Sequence, residues 1–165
     1  IAKDNEIDEY RLSVLAGYKR SKAEVLARME QRKQSKPQHK KQDDSYISLT
    51  ELARNHSKNT PGYVIQSWLR SENTLAFLNL WEQENNPDYR EAGYIELLEK
   101  KKTASFTLTP KLWIEKTEAI GIASKQGKGG GTFAHPMIGC EFASWISPEF
   151  KMLLLKLSLG REQVR

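Results

Sequence analysis

"AIGIASKQGKGGGTFAHP", residues Ala119 to Pro136, decides how the body of this chain folds. Four of its ten glycines (Gly127, Gly129, Gly130 and Gly131) fall within five positions of this stretch. Glycine at that density costs conformational entropy on folding, so the local backbone must require it. Ala119 to Lys125 reads as one strand and Gly130 to Ala134 as another, after which His135-Pro136 opens a helix. Two short strands around a glycine-rich turn make an antiparallel hairpin. What comes close to its tip is the functional question: a nucleotide phosphate, a duplex, or only the other side of a tight turn.

Nucleotide-binding patterns fail here. A P-loop needs Gly, four residues, then Gly-Lys-Ser/Thr. Lys128 is followed by Gly129, and the residue five before Gly127 is Ile122, so both ends of that pattern are missing. Gly129 to Ala134 fits the loose G-x-G-x-x-A dinucleotide fingerprint, but that fingerprint works by feeding a parallel βαβ unit. Only helices follow Pro136, so the sheet it needs is absent from the pattern.

Upstream of the hairpin the punctuation is dense. Tyr46-Ile47 reads as a short strand, and Ser48-Leu-Thr-Glu51 is a capping box that opens a short helix. Thr60-Pro61 starts a second helix, whose apolar stripe is Val64, Ile65, Trp68 and Leu69. Thr74 is expected to open a third helix running through Trp81, and Tyr89 to Lys101 a fourth. Phe106 and Leu108 suggest a strand before Thr109-Pro110 starts another helix. Downstream, the helix at Pro136 carries Ile138, Phe142 and Trp145, and Ser147-Pro148 starts the last one, with Phe150, Leu153, Leu154 and Leu157. Trp68, Trp113 and Trp145 lie on apolar stripes and are expected in the core, as is Cys140. The fold class is α+β, helix-rich with a small antiparallel sheet.

Residues 1–45 have a different character. Ile7, Tyr10, Val14 and Tyr18 recur at near-helical spacing, and Ser21 to Glu24 is a capping box for a second helix. The expected organisation is a helical appendage over residues 1–30, a basic flexible linker over 31–45, and a domain over 46–160. The first residue is Ile1, which fits a fragment or a processed product.

The formal net charge is +5, but its distribution says more than its total. Tyr18 to Lys41 holds nine Lys/Arg against two Glu, a net of +7. Ser71 to Glu99 holds seven acids against Arg90, a net of −6, and Lys100 to Lys128 holds seven lysines against two Glu, a net of +5. A basic region facing a polyanion and an acidic region facing away is the expected arrangement. One cysteine excludes an intrachain disulfide, and together with the lack of a signal peptide points to an intracellular, cytoplasmic setting. No apolar run approaches the ~18–20 residues that span a bilayer.

Tyr46 to Leu157, about two thirds of the chain, resembles the KilA-N domain, a DNA-binding module of phages, bacteria and large DNA viruses. The resemblance rests on "YISLTELAR", "VIQSWLRSENTLAFLNLWE", "SFTLTPKLWIEKTEAIGI" and "GKGGGTFAHPMIGCEFASWISPEFK", in that order. This domain is similar in turn to the fungal APSES domain, which pairs a helix-turn-helix with a glycine-rich hairpin wing. The resemblance implies a non-catalytic module for double-stranded DNA, nucleoid-associated, in a phage or bacterial regulatory or targeting protein. Leu49 to Asn55 and Pro61 to Arg70 would be the helix-turn-helix, with the second helix entering the major groove. Lys58, Asn59 and Thr60 would hold phosphate at its N-terminus, while Gln66 and Arg70 reach base edges or backbone. For Arg70 the competing reading is a surface ion pair with Glu72. Lys111 and Lys116 are expected to touch phosphate. The wing contacts would come from Lys125, Gln126, Gly127, Lys128, Gly129, Gly130 and Thr132.

Two other function classes have some support in the residues. Pro87-Asp88 with Glu149-Phe-Lys151 imitates a metal-dependent nuclease motif, but Glu149 follows Ser147-Pro148 at a helix start, where an acid complements the dipole. His39, His56 and His135 are far apart and one cysteine cannot complete a zinc site, so no cofactor is expected. His135 reads as an N-cap or buried hydrogen-bond partner, with direct DNA contact as the second reading and metal ligation remote. The alternative function is an assembly module, in which the stripe Ile7, Tyr10, Val14 and Tyr18 pairs with another chain as a homo- or hetero-oligomer.

Overall fold

A computed structural model describes residues 45–159, together with Ala23 and Ala27, which are helical. The chain divides into two compact units, Ile1–Lys40 and Lys41–Arg165. The expected appendage helices and their pairing stripe lie outside the described residues, as does the linker up to Asp44.

Ten elements follow one another among the described residues of the second unit. They are β1 (Ile47–Ser48), α1 (Leu49–His56), α2 (Pro61–Leu69), α3 (Glu72–Asn85), α4 (Glu91–Lys100), α5 (Pro110–Thr117), β2 (Ile122–Lys125), β3 (Gly131–Ala134), α6 (Pro136–Ile146) and α7 (Pro148–Ser158). The sheet order is β1-β3-β2, antiparallel throughout, so the α+β class with a small antiparallel sheet is what the chain forms.

Helix starts follow local chemistry. Ser48 accepts from the Glu51 amide, Thr109 from Leu112 and Ser147 from Phe150, each satisfying a first-turn donor. Proline follows the cap residue at α2, α5, α6 and α7, where its missing N–H is not needed. His135 caps α6, its Nδ1 accepting from the Met137 amide at 3.1 Å. Two expectations shift: Ser71, not Thr74, caps α3, and Thr74 is the residue whose amide it receives. The segment around Phe106 is not a strand. The Phe106 amide donates to Thr103 O, committing the backbone to a turn, and Leu108 is anchored by burial instead.

The core gathers Leu49, Trp68, Leu75, Leu78, Trp113, Ile138 and Phe142 from five helices, closed by Ile122 and Ala134 of the sheet. Trp68 packs edge-on against Phe142 at 5.1 Å, and its indole N–H donates to Glu141 Oε2 at 2.6 Å, joining α2 to α6. Burial pushes the Glu141 carboxyl up, opposed by that hydrogen bond and by Lys151. Trp145 departs from its expectation. It is 44% exposed, and Cys140 is only half-buried.

One buried carboxyl group sets the base of the hairpin. Glu82 is fully buried on α3 and accepts from the amides of Ile120 (3.1 Å) and Gly121 (2.6 Å) and from Asn86 Nδ2 (2.8 Å). The His135 amide then donates to Gly121 O at 2.9 Å, and Tyr46 donates its hydroxyl to Ile120 O at 2.7 Å. The two ends of the hairpin are thereby tied to α3 and to β1.

Candidate nucleic-acid interface

β2 and β3 pair from Ile122↔Ala134 out to Lys125↔Gly131, leaving Gln126 to Gly130 as the tip. The Gly130 amide donates to Gly127 O at 2.9 Å, closing a four-residue turn. Gly127 (φ +84°) and Gly129 (φ +72°) occupy the left-handed region, and a Cβ on either would meet nothing within 4 Å. A Cβ on Gly131 would instead stand 2.6 Å from Thr50 Oγ1, and one on Gly130 2.6 Å from Lys125 O. The turn therefore accounts for Gly127, Gly129 and Gly130, and the approach of Thr50 on α1 for Gly131. At Gly127 and Gly129 it also leaves backbone with open space before it.

The hairpin is anchored where it leaves the sheet. The Thr132 amide donates to Thr50 Oγ1 at 2.9 Å, tying β3 to α1, and Thr132 is only 8% exposed. Lys125, Gln126 and Lys128 are exposed, with the Lys125 ammonium 5.3 Å from the Phe133 ring centroid.

α1 and α2 pack on each other across the turn Ser57 to Thr60. Lys58, Asn59 and Thr60 are exposed there. Thr60 holds the cap position without donating its side chain to that role, so no side chain caps the first turn of α2. Gln66 is half-buried and Arg70 exposed on the same helix face. Arg70 makes no ion pair with Glu72; its guanidinium stands over the Tyr63 ring, 5.9 Å from the centroid. Tyr63, half exposed, is a residue the sequence reading passed over. Its spacing was the available signal: it precedes Gln66 by three and Arg70 by seven on the face opposite the apolar stripe. Beside it lies a hollow of about 270 Å³, bordered by His56, Ser57, Asn59, Ser67 and Trp145.

The lysines of residues 100–128 do not form one basic face turned from the acids. α4 packs on α5, so Glu96 takes both Lys100 (2.8 Å) and Lys116 (2.9 Å), and Glu99 takes Lys102. Lys111 lies 3.9 Å from Glu115, and Lys101 donates to Arg70 O. Hydrogen bonds from Lys100 and then Lys116 hold the Glu96 carboxyl down at about 2, and the same pairing raises Lys116. Among the described residues, Lys125 and Lys128 of this group make neither an ion pair nor a hydrogen bond. Within residues 100–128, the lysines left without an ion-pair or hydrogen-bond partner are thus the two at the hairpin. Among the described residues no group of three or more His, Cys, Asp or Glu is arranged to hold a metal ion, and Glu149 sits in the first turn of α7. No helix of the described residues is long and apolar enough to cross a membrane.

Comparison with known proteins places the chain. The family model described as the KilA-N domain matches residues 30–159. Protein kilA of Escherichia phage P1 is 46% identical over 50 residues, which cover 28% of this chain and 19% of that protein. The match therefore spans less than a fifth of that curated relative's length. No solved structure matches the chain.

Proposed function

Because the chain belongs to the KilA-N domain family, we propose that it is a non-catalytic module for double-stranded DNA within a phage or bacterial regulatory or targeting protein. In this reading α1 and α2 act as a helix-turn-helix, and the β2–β3 hairpin is a wing. Lys58, Asn59 and Thr60 meet phosphate at the uncapped first turn of α2. Gln66, Arg70 and Tyr63 face the groove, and Lys125, Gln126 and Lys128, with the open backbone at Gly127 and Gly129 and the adjoining Gly130, lie along the duplex. Lys116 and Thr132 already have partners within the chain and are assigned to it. The module would then work on cytoplasmic, nucleoid-associated DNA.

The observation that carries this reading is the placement of unpaired positive charge. Lys58, Arg70, Lys125 and Lys128 make no ion pair among the described residues, whereas the lysines of α4 and α5 are matched to acids. Counterion release makes the test quantitative. With these four and the loosely held Lys111 each neutralising one phosphate, log K should fall with log salt at a slope of about −4 to −5. Fluorescence anisotropy on a labelled duplex from low to moderate salt measures it. A slope near zero, or no retention at low salt, overturns the reading. Gln126→Ala should lower discrimination between duplexes more than overall affinity, because Gln126 is the long polar side chain at the tip able to reach a base edge.

A further inference from the structure

α7 is the least covered element among the described residues. None of its residues is buried, yet Met152, Leu153, Leu155 and Leu157 lie on it, each at least half exposed, and Leu159 follows. Only Phe150 and Leu154 turn partly into the body. Met137 and Trp145 on α6 extend the apolar surface, and a groove of about 660 Å³ runs between the two helices. α7 is held to the body mainly along its contact with α6, with Phe150 and Leu154 turned inward, so most of its apolar side chains face solvent. Contiguous apolar surface of this kind marks an interaction site.

We propose that the side of α7 away from this groove, where Met152 and Leu153 lie between Glu149 and Lys156, seats a second copy of the chain, α7 packed antiparallel on α7 about a two-fold axis. Charge selects that occupant and that direction. Glu149 and Lys156 are seven residues apart, about two turns, and so share one side of the helix at opposite ends. Neither makes an ion pair among the described residues. With the axis between Met152 and Leu153, Glu149 of each copy faces Lys156 of the other, so the pairing occurs twice. A parallel pair would set Glu149 against Glu149 and Lys156 against Lys156. The patch is therefore self-complementary in the sense a two-fold interface requires. This association stands or falls independently of DNA binding.

Sedimentation equilibrium on the 165-residue chain tests it. A concentration-dependent monomer–dimer equilibrium is expected. Leu153→Glu with Leu157→Glu should leave a monomer whose melting temperature equals that of the parent at concentrations where the parent is itself monomeric, since both side chains are exposed in the single copy. Glu149→Lys or Lys156→Glu alone should weaken the dimer at least about tenfold, and the two reversals together should restore it to within about threefold. A strict monomer up to high concentration, a dimer that survives the leucine substitutions, or a double reversal that fails to restore association would each overturn the proposal.

Discussion

At Glu82 a single carboxylate organises the ground on which the hairpin stands. It is fully buried, and a buried charge is tolerated only when its lone pairs are filled. Donors that fill them here include Asn86 at the C-cap of α3, and the Ile120 and Gly121 amides that lead into β2. Glu82→Ala would strand those amides in the core. Hydrogen bonds to charged groups contribute ~1.5–3 kcal/mol each and buried unsatisfied donors cost ~1–3, so urea denaturation should show a loss of about 3 kcal/mol or more. A loss below about 1 kcal/mol would mean the amides find other partners. Nothing in "LWEQEN" announces this role, because the donors lie 38 and 39 residues further on. The tip residues are the opposite case. Lys125→Ala with Lys128→Ala should leave the denaturation midpoint unchanged, since both side chains are exposed. Their removal should make the salt slope of duplex binding shallower by about two, one per lost phosphate contact, at every sequence tested. Parental affinity and slope in that variant would show that the glycines only close a turn.

Elements repeat the contrast between what is local and what is not. Four helices begin at an X-Pro step, and all four were readable because cap and proline act within one turn. The exposure of Trp145 was not readable: periodicity marks an apolar face but not whether a neighbour covers it. The charge pairing of α4 with α5 was hidden for the same reason, since Glu96 and Lys116 meet only once the helices pack. That pairing has a pH signature. The Glu96 carboxyl is held at about 2 against an ordinary 4.5, so its contribution to stability is complete above 4.5 and is lost as pH falls toward 2. Glu96→Gln should therefore flatten the stability profile across that acid window, in melts followed by circular dichroism at low salt. High salt should shrink the difference, because the group is exposed and screened. An acid limb unchanged by the substitution would show that the pairing contributes nothing measurable.

The described unit as a whole is rigid at the root of the hairpin and open at its tip. Glu82, Tyr46 and His135 clamp the root, while no atom of the described chain stands within 4 Å of where a side chain would begin on Gly127 or Gly129. That combination suits a loop that must present charge at a defined place without reorganising on contact. Sequence made the hairpin, the helix order and the family resemblance legible, because each rests on short-range punctuation. It did not show which charges remain unpaired, a property of the packed body. One large block of charge lies beyond that body: Tyr18 to Lys41 carries a net of +7. If the folded unit alone binds the duplex through about five phosphates, the preceding basic segment can add contacts that carry no sequence information. Removing residues 1–40 should then weaken binding to all duplexes by a similar factor and make the salt slope shallower, while the order of preference among sequences stays the same. Anisotropy titrations of the full chain and the shortened chain, on two unrelated duplexes at several salt concentrations, separate the outcomes. Equal affinity and slope would make the segment a tether. A changed order of preference would mean that it reads bases, which its lysines and arginines do not do when they act only as neutralising charge.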